Sequence, residues 1–176
     1  RTRIMPVRAL GQYLGNYGWG TSYDIMQAVR YAAGLENDSG TVPSPKADII
    51  NLSLSGSVDS FLEQIVYEEV RAAGIFIVAA AGNGASSQPT YPAAYDGVLA
   101  VSAVDINEQP AWYSNNGSYV DLAAPGGDLS VDLDGDGNGD GYLPSPLRGS
   151  GADFSSLPRA EAGAIRSGRS ADNPRS

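Results

Sequence analysis

Two kinds of apolar spacing alternate along the first 126 positions. ADIINLSL (47–54) and GIFIVAAA (74–81) are nearly unbroken apolar runs, which fit strands covered on both faces. Between them, Ser60 and Glu63 form a helix-start pair. Leu62, Ile65, Val66, Val70 and Ala73 then recur at helical spacing until Gly74 ends the pattern. A strand, a crossover helix and a second strand within about thirty residues make a βαβ unit, which forces its two strands to run parallel. Upstream, Thr21 and Asp24 open an earlier helix. Its Ile25, Val29, Ala32 and Ala33 share one face, with Met26 alongside, and Gly34 closes it. RIMPVRAL (3–10), GVLAVSAV (97–104) and SYVDLAAPG (118–126) predict further short strands, and residues 35–46 read as loop. The expected fold is α/β: three layers, a mostly parallel sheet with helices on both faces, and no internal repeat.

In open parallel sheets, ligands bind beyond the carboxyl ends of the strands. SLSGS (53–57) and AAGNG (80–84) occupy two such ends, and both are poor in bulk, so another backbone could lie close. Asn83 stands out because its amide needs partners just where an apolar strand leaves the core. Gly-Asn-Gly also suits a plain turn, so its place alone does not separate chemistry from geometry.

Composition narrows the picture. At 176 residues the chain is long enough for one domain with a sizeable core, and 42% hydrophobic with 18% charged residues is a globular composition. A net charge of −9 argues against nucleic acid as a partner. No apolar run approaches a membrane span, and with no cysteine the thiols say nothing of redox compartment. The sequence starts at Arg1 without a signal peptide and reads as the interior of a longer protein. Histidine is absent altogether.

Charge is uneven. Residues 1–143 carry 6 basic and 17 acidic side chains, whereas 144–176 carry 5 and 3. The last stretch is rich in Ser, Arg, Pro, Gly and Ala and lacks any strand-like run, so 144–176 is expected to be a flexible tail. Just before it, VDLDGDGNGDGYL (131–143) sets Asp132, Asp134 and Asp136 at alternating positions, followed by Gly137, Asn138 and Asp140. Hard Ca²⁺ seeks several carboxylate oxygens, glycine permits the sharp turn, and Asn138 would lend its backbone carbonyl. Leu143 stands where the bidentate glutamate of an EF-hand would be, and no helix signal flanks the loop. The expectation is a calcium turn rather than an EF-hand, with a solvated acidic turn as the alternative.

Four segments, in order, resemble the subtilisin-like serine proteases (subtilases): ADIINLSLSG, GIFIVAAAGN, YPAAYDGVLAVSAVD and AWYSNNGSYVDLAAPG. With the opening strand they extend the likeness over roughly residues 3 to 126, and loosely through the acidic loop. The resemblance implies a partial subtilase catalytic domain over 1–143 and a peptide or protein as substrate. Asn83 matches the asparagine that donates to the oxyanion of a tetrahedral intermediate. Ser53, Leu54 and Ser55 match the stretch that pairs with substrate backbone, although Ser55 replaces the usual glycine. Ala80, Ala81 and Gly82 match the facing wall of the specificity pocket. A weaker cation site is implied at Ala93, Tyr95, Val98 and Asp121, and a cis-proline turn at Tyr91–Pro92. Secretion of the parent protein is implied as well.

The family's catalytic order is Asp, His, Ser. The resemblance places its Asp before Arg1, and this chain has no histidine. In place of the family's Gly-Thr-Ser-Met-Ala segment stands LRGSGADFSSLPRAEAG. Ser150, Ser155 and Ser156 are not taken as nucleophiles, since no base activates them. The tail 144–176 is expected to be foreign to the family, from a shifted reading frame or truncated gene model, with a real, disordered linker as the alternative. The isolated chain is therefore expected to be inactive. Competing readings are a non-catalytic calcium- or peptide-binding module and, on Gly82-x-Gly84 alone, a nucleotide-binding α/β domain.

Overall fold

A computed structural model describes residues 2–13, 17–105, 107–128, 130–132 and 135. The chain divides into two compact units. One comprises Arg1–Ala80 with Thr90–Leu99, the other Ala81–Pro89 with Ala100–Ser176.

The first unit contains β1 (Gly11–Tyr13), β2 (Tyr17–Trp19), α1 (Ser22–Ala32), β3 (Ile49–Leu52), α2 (Phe61–Ala72) and β4 (Phe76–Ala80). The predicted βαβ unit is β3–α2–β4. Its strands run parallel, with Ile49 opposite Phe76 and Leu52 opposite Ala79. Ile50, Leu52, Ile77 and Ala79 are buried, while Ile49 and Phe76 on the other face are exposed.

Both helices start and stop where the sequence marks them. The Thr21 hydroxyl accepts the Asp24 N–H while the Asp24 carboxylate accepts the Thr21 N–H, a full capping box. The Ser60 hydroxyl accepts the Glu63 N–H at 3.4 Å. At the other ends, Gly34 (φ 73°) and Gly74 (φ 84°) take the left-handed conformation that a C′ residue needs. Gly34 N–H reaches the Tyr31 carbonyl and Leu35 N–H the Arg30 carbonyl, each at 2.9 Å. Gly74 and Ile75 repeat the pattern on Arg71 and Val70. The helices pack on each other and are bridged by Arg30–Glu69 at 3.2 Å.

Two expectations are corrected in this unit. Residues 3–10 form no strand: Pro6 removes an amide, and no described strand pairs with the segment. The extended pairs lie further on, with Gly11 opposite Trp19 and Tyr13 opposite Tyr17, antiparallel. On α2, Leu62 is 67% exposed and Ile65 37%, whereas Glu63, Val66, Tyr67 and Val70 are buried. The inward face is rotated from the predicted stripe because the Tyr67 ring goes inside. It stacks on Tyr95 with centroids 5.4 Å apart, and Tyr95 in turn meets Tyr91 at 4.7 Å.

β5 (Val98–Val104) opens in the first unit and continues into the second, which also holds β6 (Leu122–Pro125). These two strands are parallel, with Val101 opposite Leu122 and Val104 opposite Pro125. After β5, the buried Asp105 carboxylate accepts the N–H groups of Asn107 and Gln109 at 2.9 and 2.7 Å, closing a turn. Asp128, also buried, accepts the Ser130 hydroxyl at 2.6 Å, the Trp112 N–H at 3.0 Å and the Ser130 N–H at 2.9 Å. Those donors hold its carboxyl below the ordinary carboxylate value, the Ser130 hydroxyl first among them.

Candidate active site

After β4 the chain turns sharply. Ala81 and Gly82 are buried, and Asn83 is exposed. Gly82 has φ 105°, a conformation open to glycine and little else. Ala85 also has positive φ, 48°, which a residue with a Cβ adopts only when its surroundings hold it there.

The holding group is Asn115, in the same unit and only 2% exposed. Its Oδ1 accepts the Gly84 N–H at 2.9 Å and the Ser86 N–H at 3.2 Å. Its Nδ2 donates to the Ala81 carbonyl at 3.0 Å and to the Tyr119 hydroxyl at 3.1 Å. That hydroxyl donates to the same Ala81 carbonyl at 2.7 Å. The Asn115 N–H donates to the Gly82 carbonyl at 3.0 Å, and Ala85 N–H donates to the Tyr113 carbonyl at 2.8 Å. The turn carrying Asn83 is thus fixed at Ala81, Gly82, Gly84, Ala85 and Ser86. Among the described residues the Asn83 side chain itself makes no hydrogen bond. Chemically, this is a neutral amide donor held on a bonded loop and open to solvent.

The remaining predicted residues fall as follows. Ser53 and Ser55, just past β3, are exposed, and Leu54 is half-buried. None of the three makes a backbone hydrogen bond among the described residues. Asn51 Nδ2 donates to Ser53 Oγ at 2.9 Å, and Gly56 exchanges two backbone bonds with Tyr91, at 2.8 and 2.9 Å. This leaves a short stretch just past β3 whose backbone groups are unpaired among the described residues. Ala80 ends β4, half-buried. Ala93, Tyr95 and Val98 are buried in the first unit, and the Tyr91–Pro92 bond is cis. Asp121 is in the second unit, where its Oδ2 accepts the Ala100 N–H at 2.9 Å. In the acidic loop, Asp132 Oδ1 accepts the Gly135 N–H at 2.7 Å. Asp134, Asp136, Asn138 and Asp140 lie outside the described residues, as does the tail 144–176. Among the described residues no three His, Cys, Asp or Glu side chains gather as a metal site.

Sequence reading missed Asn115 and Tyr119. The signal was within reach, since both lie in the YSNNGSY stretch that carries part of the family likeness.

The parallel strands and helices make this an α/β protein. The relatives give the family. The subtilase family pattern matches residues 2–159, past the boundary expected at 143. A thermophilic serine proteinase from Bacillus sp. (strain AK1) is 40% identical over 134 residues, 76% of this chain and 30% of that protein. Thermitase from Thermoactinomyces vulgaris is 39% identical over 127 residues, 72% of this chain and 40% of that protein. The halolysin-like extracellular serine protease Nep of Natrialba magadii is 42% identical over 116 residues, 66% of this chain and 20% of that protein. Among solved structures, a protease of Pseudoalteromonas arctica superposes with TM-score 0.61 at 37% identity, covering 64% of this chain and 34% of its own. The chain belongs to the subtilase family and has part of the subtilisin-like α/β fold. It spans well under half the length of these relatives.

Proposed function

We propose that this chain is a segment of a secreted subtilisin-like serine endopeptidase, in which Asn83 is the side-chain donor of the oxyanion hole. The observation that carries the proposal is the exposed Asn83 amide on a loop bonded at five neighbouring residues. When a nucleophile adds to the scissile carbonyl, negative charge develops on its oxygen. A neutral amide already held in place stabilises that charge without reorganising. The unpaired backbone of Ser53–Ser55 supports a second role, adding the substrate peptide as an extended strand. The chain has no histidine, which supports drawing the catalytic base from elsewhere in the parent protein.

The acidic stretch 132–140 is proposed to bind Ca²⁺ through Asp132, Asp134, Asp136, Asp140 and the Asn138 carbonyl. The D-x-D-x-D-G order supports this reading. The absence of histidine also favours a second reading, a non-catalytic peptide-binding module.

The test is a chimera in which this chain replaces the matching 134-residue stretch of the Bacillus sp. (strain AK1) serine proteinase. The chimera is expected to label with a fluorophosphonate probe and cleave peptides, and the isolated chain to do neither. A folded chimera that binds peptide without cleaving it would favour the non-catalytic module. Labelling and turnover by the isolated chain would refute the division of labour.

A further inference from the structure

Asn115 lies 32 positions beyond Asn83 in sequence, yet its side chain and N–H make four bonds to the Asn83 loop and a fifth to the Tyr119 hydroxyl. We propose that Asn115, seconded by the Tyr119 hydroxyl, is a positioning residue for Asn83: it sets the direction of the oxyanion donor without touching substrate. This rests on the oxyanion role proposed for Asn83.

The chemistry is specific to an asparagine. Gly84 and Ser86 present N–H groups, which can only donate, so the atom facing them must be an acceptor. The Ala81 carbonyl can only accept, so the atom facing it must be a donor. One planar amide meets both demands across the turn, joining residues on either side of Asn83. Aspartate would set an oxygen against the Ala81 carbonyl, and alanine would leave both sides unpaired. The Tyr119 hydroxyl accepts from Nδ2 and donates to Ala81, which fixes the plane of the amide. Burial keeps water from substituting for any of these partners.

A misdirected donor costs transition-state stabilisation and leaves ground-state binding nearly unchanged. A residue that acts only through Asn83 has nothing left to act on once Asn83 is gone. Turnover and KM are therefore measured in the chimera for Asn115→Ala, Asn83→Ala and the double variant, with Tyr119→Phe as the milder variant that keeps the ring. Asn115→Ala is expected to lower kcat on the order of tenfold or more with KM changed less than about twofold. In the Asn83→Ala background the same substitution is expected to have almost no further effect on kcat. Tyr119→Phe is expected to give a smaller loss of the same kind. In the chain itself, amide exchange at Gly84 and Ser86 is expected to quicken on the order of tenfold in Asn115→Ala, well beyond any change along β5 and β6.

Losses that add in the double variant, or a rise in KM with kcat kept, would overturn the positioning role while leaving the oxyanion role of Asn83 standing. An Asn83→Ala chimera with wild-type kcat would overturn the oxyanion role, and the positioning role with it. If Asn115→Ala does not fold, a Tyr119→Phe chimera with wild-type kcat overturns the inference, and one with reduced kcat and unchanged KM upholds it.

Discussion

Tyr67→Phe should make the protein more stable, although it removes a polar group from a residue at the centre of its unit. Tyr67 is fully buried, and its hydroxyl has no hydrogen-bond partner among the described residues. A buried hydroxyl without a partner costs about 1–3 kcal/mol. Phenylalanine keeps the ring, the stack on Tyr95 and the apolar contacts of α2. It leaves only a gap the size of one oxygen, worth a few tenths of a kcal/mol in lost contacts. The net expectation is a gain of about 1–2 kcal/mol, or roughly 2–8 °C in Tm for a chain of this size.

The pH dependence sharpens the test. Burial first, then the nearby Glu63 and Tyr95, push the Tyr67 phenol well above its ordinary 10.0. A raised value means that the folded state favours the protonated phenol. The associated stability is complete below 10.0 and is lost as pH climbs above it, because the unfolded phenol ionises first. The advantage of Phe over Tyr should therefore widen above 10.0. The assay is urea unfolding followed by far-UV circular dichroism at neutral and alkaline pH. A loss of about 1 kcal/mol or more at neutral pH would overturn this expectation, because it would mean that the hydroxyl is bonded in solution.

Asp128→Asn should lower stability at neutral pH and flatten the acid side of the stability profile. The Asp128 carboxyl is depressed below 3.8 by its Ser130 and Trp112 donors, so its contribution is present above that value and lost as pH falls through the lower folded value; thermal melts across the acid range check this. Asp134→Ala combined with Asp136→Ala should abolish any calcium-dependent rise in Tm, and isothermal calorimetry that finds no binding at about millimolar Ca²⁺ would reduce the loop to a turn.

How far the sequence speaks depends on how local each feature is. The Thr21–Asp24 capping box and the closing glycines Gly34 and Gly74 were legible because caps are made within five residues of themselves. The parallel pairing of β3 and β4 followed from the length of the link and the two apolar runs. The face of α2 was harder. Phe61, Leu62, Ile65, Val66, Tyr67 and Val70 cover more than half the helix circumference, so apolar spacing could not say which part turns inward. Packing of Tyr67 on Tyr95, 28 positions away, decided it and drew Glu63 in with it. RIMPVRAL has strand-like composition, yet a strand exists only with a partner, and composition does not reveal one. The same limit hid Asn115. Asn83 could be singled out from Gly-Asn-Gly and its family likeness, but the group that holds its loop bonds across more than thirty residues.

The oxyanion role and the positioning role of Asn115 both turn on Asn83 donating to charge that appears only in the transition state. Steady-state kinetics of Asn83→Ala against wild type, in the active chimera and on a peptide substrate, reads this without an intermediary. Removing the oxyanion-hole asparagine of a subtilisin is known to produce a loss of this kind, and the size expected here is carried over from that enzyme: kcat reduced on the order of 10²–10³ with KM within about twofold. Unchanged kcat, or a large rise in KM alone, would deny Asn83 the oxyanion and return it to the role of a turn residue.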